Sequence, residues 1–405
     1  MKLVVVASSL DLGTRFGCVP AWWQLLKGLY EIGVEVIASP YQGPPVESLW
    51  WRAAPNPCWT HARLFELARG AGRAVLRRLP GTLAPTTRGD RPAAGETATE
   101  RATRAAVRRI VLPRWERHLS EILESEGDVD AILVLGVPLN HLTGLPQALR
   151  RRFGRVTLAY YDGDVPASLP QFRGFASGFR IYSGAEPDEW DLFLSNSSGG
   201  VPFLEEIGAR NVRVLPYAAD PDVYRPVPVA QDVDAFFYGF GAEYREDWLR
   251  RMVAEPSRAL PGARFAGRVT GMDGVDLGRL EQVPYASFSR LREHCCRARL
   301  NLCVTRGAHA SVPGSSSMRP FELAALGCCI VSNPYAGIEE WFAPGSELVV
   351  VDEQADVAQV YRELLADEPR RRAMGAAARA RVLAQHTFRH RAEALRGWLD
   401  ASRGT

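Results

Sequence analysis

At 405 residues, 46% of them apolar and 23% charged, the chain has the composition of a soluble globular enzyme. One hydrophobic core does not usually extend over such a length, so two domains of roughly 200 residues are expected. The formal net charge of +3 excludes the strong one-sign field of a nucleic-acid or membrane-surface binder, and no apolar run reaches the ~20 residues that span a bilayer.

The seven cysteines, Cys18, Cys58, Cys295, Cys296, Cys303, Cys328 and Cys329, are odd in number and form no C-x-x-C pair. They are expected to be small core residues in a reducing compartment, not zinc ligands or a disulfide frame. Lys2 leads straight into an apolar run too short for a signal peptide, so a cytoplasmic location is expected.

That run, Leu3 to Ala7, reads as a strand buried on both faces of a parallel sheet. A polar loop, a helix over Val19–Leu29 and a strand over Val34–Ala38 complete a β-loop-α-β unit. Ligands of such sheets bind at the carboxyl ends of the strands, which would set Asp11, Gly13 and Arg15 along a cleft. Asp11 is there a candidate base or a turn residue. The Gly-x-Gly-x-x-Gly spacing of a dinucleotide site is absent. Trp50, Trp51 and Trp59 would form either an acceptor wall or a local core. Pro80 to Glu100 mixes Pro, Gly, Thr and charges, and reads as a mobile surface insertion.

A helix over Arg101–Glu126 precedes a strand at Ala131–Leu135, whose exit loop carries His141, facing the cleft or packed structurally. The next strand, Val156–Tyr161, ends in Asp162-Gly163-Asp164. The two carboxylates, Asp162 and Asp164, could serve as general base for an acceptor hydroxyl, or cap the turn. Asp191–Ser195, a helix through Ile207 and Asn211–Tyr217 close the first half.

The second half restarts with a strand at Asp234–Tyr238 and a Gly239-Phe240-Gly241 turn, followed by strands at Arg264–Gly267 and Arg299–Val304. Val304 to His309 then lies on the cleft side. From Gly314 the chain reads GSSSMRPFELAALGCCIVSNP. Pro320 suits a first helical turn and Gly327 a helix end, so the stretch is loop, helix, buried strand and turn. Free N–H groups at the helix start, Ser315, Ser316 and Ser317 ahead of them, and Arg319 beside them make a site for an anion such as a diphosphate. Glu322 would accept from sugar hydroxyls or fold back onto its own backbone. The Ala/Arg helix over Arg370–Ala384 has too few apolar residues for anything but a surface element.

Residues Arg319, Phe321, Glu322, Ala325 and Gly327 resemble the Arg-x-Phe-Glu-x-x-Ala-x-Gly signature of the CgeB-like glycosyltransferases. Gly337, Glu339, Glu340 and Phe342, the Pro344-Gly345-x-Glu347 turn, and the Arg-rich helix with its His-Thr-Phe segment extend the likeness across 236–395. The resemblance implies an α/β chain of the GT-B fold, with two doubly wound Rossmann-like domains facing across a cleft. Residues 1–222 would hold the acceptor, 223–388 the nucleotide-diphosphate sugar, and 389–405 would form a helix crossing back to the first domain. It implies sugar transfer to an unidentified small-molecule or glycan acceptor, without nucleic acid and without a cofactor beyond the donor. Gly239 and Gly241 would allow close backbone approach to the diphosphate, which Arg245, Arg319 and the Ser315–Ser317 loop would neutralise. Pro320 and Phe321 belong to the same donor segment, and Glu322 would take the ribose. With these cations a metal is unnecessary, and the Asp162-x-Asp164 spacing reads as coincidence. An inverting enzyme would draw its base from Asp11, Asp162 or His141. The chain departs from the Glu, seven residues, Glu pattern of many retaining relatives, since Gly314 stands where the first Glu belongs. A nucleotide-sugar epimerase and a binding-only protein are the alternatives.

Overall fold

A computed structural model describes residues 1–12, 18–59, 98–154, 156–172, 181–241, 245–271, 275–285 and 287–402. Gly13, Arg15 and most of the 80–100 insertion lie outside them. The first half is a seven-stranded sheet in the order β3-β2-β1-β4-β5-β6-β7, and every recorded pairing is parallel. Its strands are β1 (Lys2–Ser9), β2 (Glu35–Gln42), β3 (Arg52–Ala53), β4 (Ala131–Leu135), β5 (Thr157–Asp162), β6 (Leu192–Ser195) and β7 (Val212–Val214). Leu3 to Ala7 pair in register with Ala131 to Leu135, and neither run is more than marginally exposed. Continuous apolar runs are required because both faces are covered. Leu3, Val5 and Ala7 pack with Leu25, Leu26 and Leu29 of α1 (Ala21–Glu31). Val4 and Val6 pack on the opposite side with Trp115 and Leu119. That second helix is reached from α2 (Ala98–Ala106) through a π-helical turn into α3 (Leu112–Glu126).

After α4 (Leu145–Phe153) and α5 (Val201–Glu206), the chain passes to a six-stranded parallel sheet, ordered β10-β9-β8-β11-β12-β13. Its strands are β8 (Val233–Phe240), β9 (Phe265–Thr270), β10 (Glu281–Gln282), β11 (Ala298–Cys303), β12 (Ile330–Ser332) and β13 (Val349–Val350). The helices are α6 (Glu246–Leu249), α7 (Glu255–Ala259), α8 (Phe288–Arg297), α9 (Gly307–Ser311), α10 (Met318–Ala325), α11 (Val357–Ala366), α12 (Glu368–Gln385) and α13 (Phe388–Ser402). Two doubly wound Rossmann-like domains result, the GT-B architecture.

The α12 expectation needs correction. This helix is not a surface element, because Ala378 and Val382 are buried in one cluster with α10, and Met374 in another with Tyr361 and Leu364 of α11. Its small residues allow the approach: a Cβ on Gly375 would stand 2.2 Å from the Gly327 carbonyl oxygen. α13 crosses back and buries Phe388, Ala392, Leu395 and Leu399 in the first domain. It lies so close to α1 that a Cβ on Gly28 would be 2.7 Å from the Phe388 carbonyl oxygen. At the crossing, Ala219 and Thr387 pair in parallel, with Ala219 donating to His386 and Phe388 to Ala219 through their backbones. Trp50 meets Trp23 edge-on and Trp51 meets Trp22, so these tryptophans build a local core. All seven cysteines are free thiols, five of them buried.

Candidate active site between the two sheets

The carboxyl ends of the two sheets meet. The Asn196–Gly200 turn after β6 lies against the Pro313–Ser317 loop ahead of α10, with an antiparallel bridge between Ser197 and Ser315. Ser198 and Gly199 donate backbone N–H groups to Gly314 and Pro313, and Ser316 donates its own to Asn196. The Ser315 hydroxyl reaches Ser197 at 2.8 Å, while Ser316 Oγ donates to Asn196 and accepts from the Tyr217 N–H at 2.9 Å. Ser315 and Ser316 are fully buried; Ser316 binds the first domain, while the Ser315 hydroxyl is shared between Ser197 and the Val312 carbonyl of its own loop. Ser317 is half-buried at the N-cap of α10, without a capping side-chain bond.

Three cations gather at the carboxyl ends of the second sheet. Arg319, in the first turn of α10, stacks 3.1 Å from the ring centroid of Tyr238, a cation–π contact. Its Nε lies 3.8 Å from Glu322, and its Nη1 is buried without a hydrogen-bond partner among the described residues. Burial opposes the Arg319 charge, but Tyr238 and Glu322 more than offset it and hold its pKa above the ordinary value. Arg245 donates to the Val304 carbonyl at 3.1 Å. Arg306, just beyond β11, forms an ion pair across the cleft with Asp164 and donates to His309 Nδ1 at 2.9 Å. Burial pushes the Arg306 pKa down to about 10. Burial, then Arg306 and Arg245, keep His309 far below the usual histidine range and neutral.

Glu322 is wholly buried and does not fold back onto its own helix. Its carboxylate accepts from Tyr224 at 2.7 Å and Tyr238 at 2.9 Å. Tyr224 also accepts the Val19 N–H at the head of α1, so the bond chain reaches the first domain. Pro320 and Phe321 are buried, the Phe321 ring packing on Trp341, Phe342 and His386 in the core. Gly239 sits inside β8, and the Gly241 N–H is taken by the Thr270 carbonyl at 2.7 Å. A glycine pairing there extends the sheet and leaves that N–H unavailable to a phosphate.

In the first domain Asp162 adopts the turn-forming role. One oxygen accepts the Asp164 N–H at 2.9 Å, and the other accepts the Ser168 and Tyr182 hydroxyls. Burial raises its pKa against those bonds. Asp164, the second carboxylate of that pair, has its Oδ2 buried and unpartnered among the described residues while the other oxygen holds Arg306. An arginine directly after a buried strand, with histidine three positions on, was the signal available in the sequence. His141 ends a 3-10 turn with Nδ1 at 2.9 Å from the Tyr41 hydroxyl, and burial lowers its pKa to about 4. Asp11 is half-buried beyond β1, its N–H bonded to Ser9.

Residues 245–397 match the family described as glycosyl transferase-like. A curated relative, the GDP-mannose-dependent monoacylated alpha-(1-6)-phosphatidylinositol monomannoside mannosyltransferase of Corynebacterium glutamicum, is 25% identical over 280 residues. That alignment covers 68% of this chain and 66% of the relative. Among solved structures, sucrose-phosphate synthase from Thermosynechococcus elongatus superposes with a TM-score of 0.60 at 14% identity, over 99% of both chains. Anabaena HepE in complex with UDP gives 0.59 at 11% identity, over 99% of this chain and 100% of that one. The fold is thus shared with glycosyltransferases of the GT-B type, and the glycosyl transferase-like match lies in the second half of the chain. Among the described residues no helix is long and apolar enough to cross a membrane, and no cluster of His, Cys, Asp or Glu could hold a metal ion.

Proposed function

We propose that the chain, as a CgeB-like glycosyltransferase, moves a sugar from a nucleotide-diphosphate donor held by its second domain to a hydroxyl acceptor held by its first. The observation that carries this reading is the buried, unsatisfied Nη1 of Arg319 beside Glu322. Buried donors are nearly always paired, so an orphan at the mouth of a sheet is a place for an anion. As the glycosidic C–O bond breaks, negative charge develops on the diphosphate, and preorganised Arg319, Arg245 and Arg306 oppose it without a metal. Glu322 takes the ribose hydroxyls when the domains part and Tyr224 withdraws. Arg306 exchanges Asp164 for the diphosphate. Losing its cation makes the Asp164 carboxylate more basic, so it rather than the saturated Asp162 receives the acceptor's proton.

The named relative and the UDP-bound neighbour make GDP-mannose and UDP-sugars the first donors to test. The right nucleotide raises the melting temperature of the wild-type chain, because a ligand that binds only the folded state stabilises it. Arg319→Ala and Glu322→Ala lose that rise; unchanged calorimetric affinity in both variants removes the assignment. EDTA leaves turnover unaltered if the cations suffice.

A further inference from the structure

The strand order of the first sheet reverses between β1 and β4, and the crevice outside the carboxyl ends at such a point is where open α/β sheets take ligands. A partly open cavity of about 110 Å³ occupies it. Trp22, Leu25, Leu135, Tyr161, Leu215 and Phe388 form much of its wall, the last contributed by α13 at the far end of the chain. Apart from the Ser8 hydroxyl, the polar side chains along this wall are already engaged. Tyr161 donates to the Leu215 carbonyl at 2.9 Å, and Tyr217 donates to Gly163. Arg391 donates to the Pro216, Tyr217 and Gln385 carbonyls. A polar guest would exchange water for groups with little left to offer, whereas an apolar guest loses nothing on entry. The volume is somewhat below the ~150 Å³ of an engineered cavity that admits benzene, and the open side relaxes the limit.

We propose that this cavity seats a small apolar group of the acceptor, no larger than a six-membered ring, so that the acceptor is a hydroxyl compound with an aryl or short alkyl portion. The inference rests on the transfer reading above and supplies the substrate class that reading lacks.

The test titrates the full-length chain with n-alkyl glucosides from methyl to octyl and with phenyl glucoside, following tryptophan fluorescence. A nucleotide melting-temperature series runs in parallel. Affinity is expected to rise about fourfold per methylene while the cavity fills, and then to level off. A phenyl compound well above the matching alkyl one identifies an aryl guest; parity identifies an alkyl guest. Ala21→Phe, on the cavity rim, flattens the gradient and keeps the nucleotide shift, and Ser8→Leu does the same should the first variant fail to fold. An affinity independent of chain length in the wild-type chain, or a gradient that survives a folded filling variant, overturns the proposal. A clear gradient without any nucleotide shift keeps the cavity and removes the donor assignment instead.

Discussion

The two sheets share a doubly wound plan, yet their carboxyl ends present different chemistry. In the first domain two of the candidate groups are sealed, Asp162 by a backbone N–H and two hydroxyls and His141 neutral beside Tyr41, while Asp164 keeps one oxygen unpartnered among the described residues. What remains there is an apolar crevice. In the second domain Arg245, Arg306 and Arg319 crowd together, and one guanidinium nitrogen stays unpaired among the described residues. One scaffold thus gives a dry surface on one side and an electropositive one on the other. Side chains at strand exits, not the fold, set that contrast.

Acid should disturb the contrast most. Burial lowers the His141 pKa to about 4 and, with Arg391 and Arg381, that of His386 to about 3. Between the unfolded value near 6.5 and these values the unfolded chain binds protons that the folded chain refuses. Stability is therefore complete above about pH 6.5 and falls on acidification, by on the order of 3 kcal/mol for His141 by pH 4. Urea unfolding across that range checks the slope, and His141→Gln should flatten it; an unchanged slope would mean that His141 is not sealed.

Next comes the ion pair that joins the halves. Arg306→Ala leaves the half-buried Asp164 without its partner and should cost about 2 kcal/mol in denaturant. Combining it with Asp164→Asn recovers much of the loss, and strict additivity of the two would argue that they do not interact. Arg319→Ala should weaken nucleotide binding by roughly ten- to a hundredfold, the scale of a charged hydrogen bond, read by calorimetry. Tyr224→Phe is the mildest, at about 1 kcal/mol, since it strands the Val19 N–H and removes one of the two hydroxyl donors to Glu322.

The strands were legible because sheets covered on both faces demand unbroken apolar runs such as Leu3–Ala7 and Ala131–Leu135. Arg319 and Glu322 were legible as neighbours on one short helix. The pairing of Asp164 with Arg306 was not, the two being 142 residues apart and on different domains. The serine loop was legible as a helix entrance, but its burial under Asn196–Gly200 depends on the other domain. The crevice wall was hidden for the same reason, since Phe388 arrives from the last helix. α12 was misjudged because scarcity of large apolar residues reads as exposure, whereas glycine and alanine permit tight helix contact.

The paired backbones of Ala219 and Thr387 have a mechanical consequence. The chain passes between the halves twice, side by side, so the two passages act like the stacked knuckles of a door hinge. Swinging about that line is allowed, whereas twisting or sliding would tear the pair apart. Removing residues 386–405 would leave a single strap, and the two mouths would then no longer return to the same alignment after each opening.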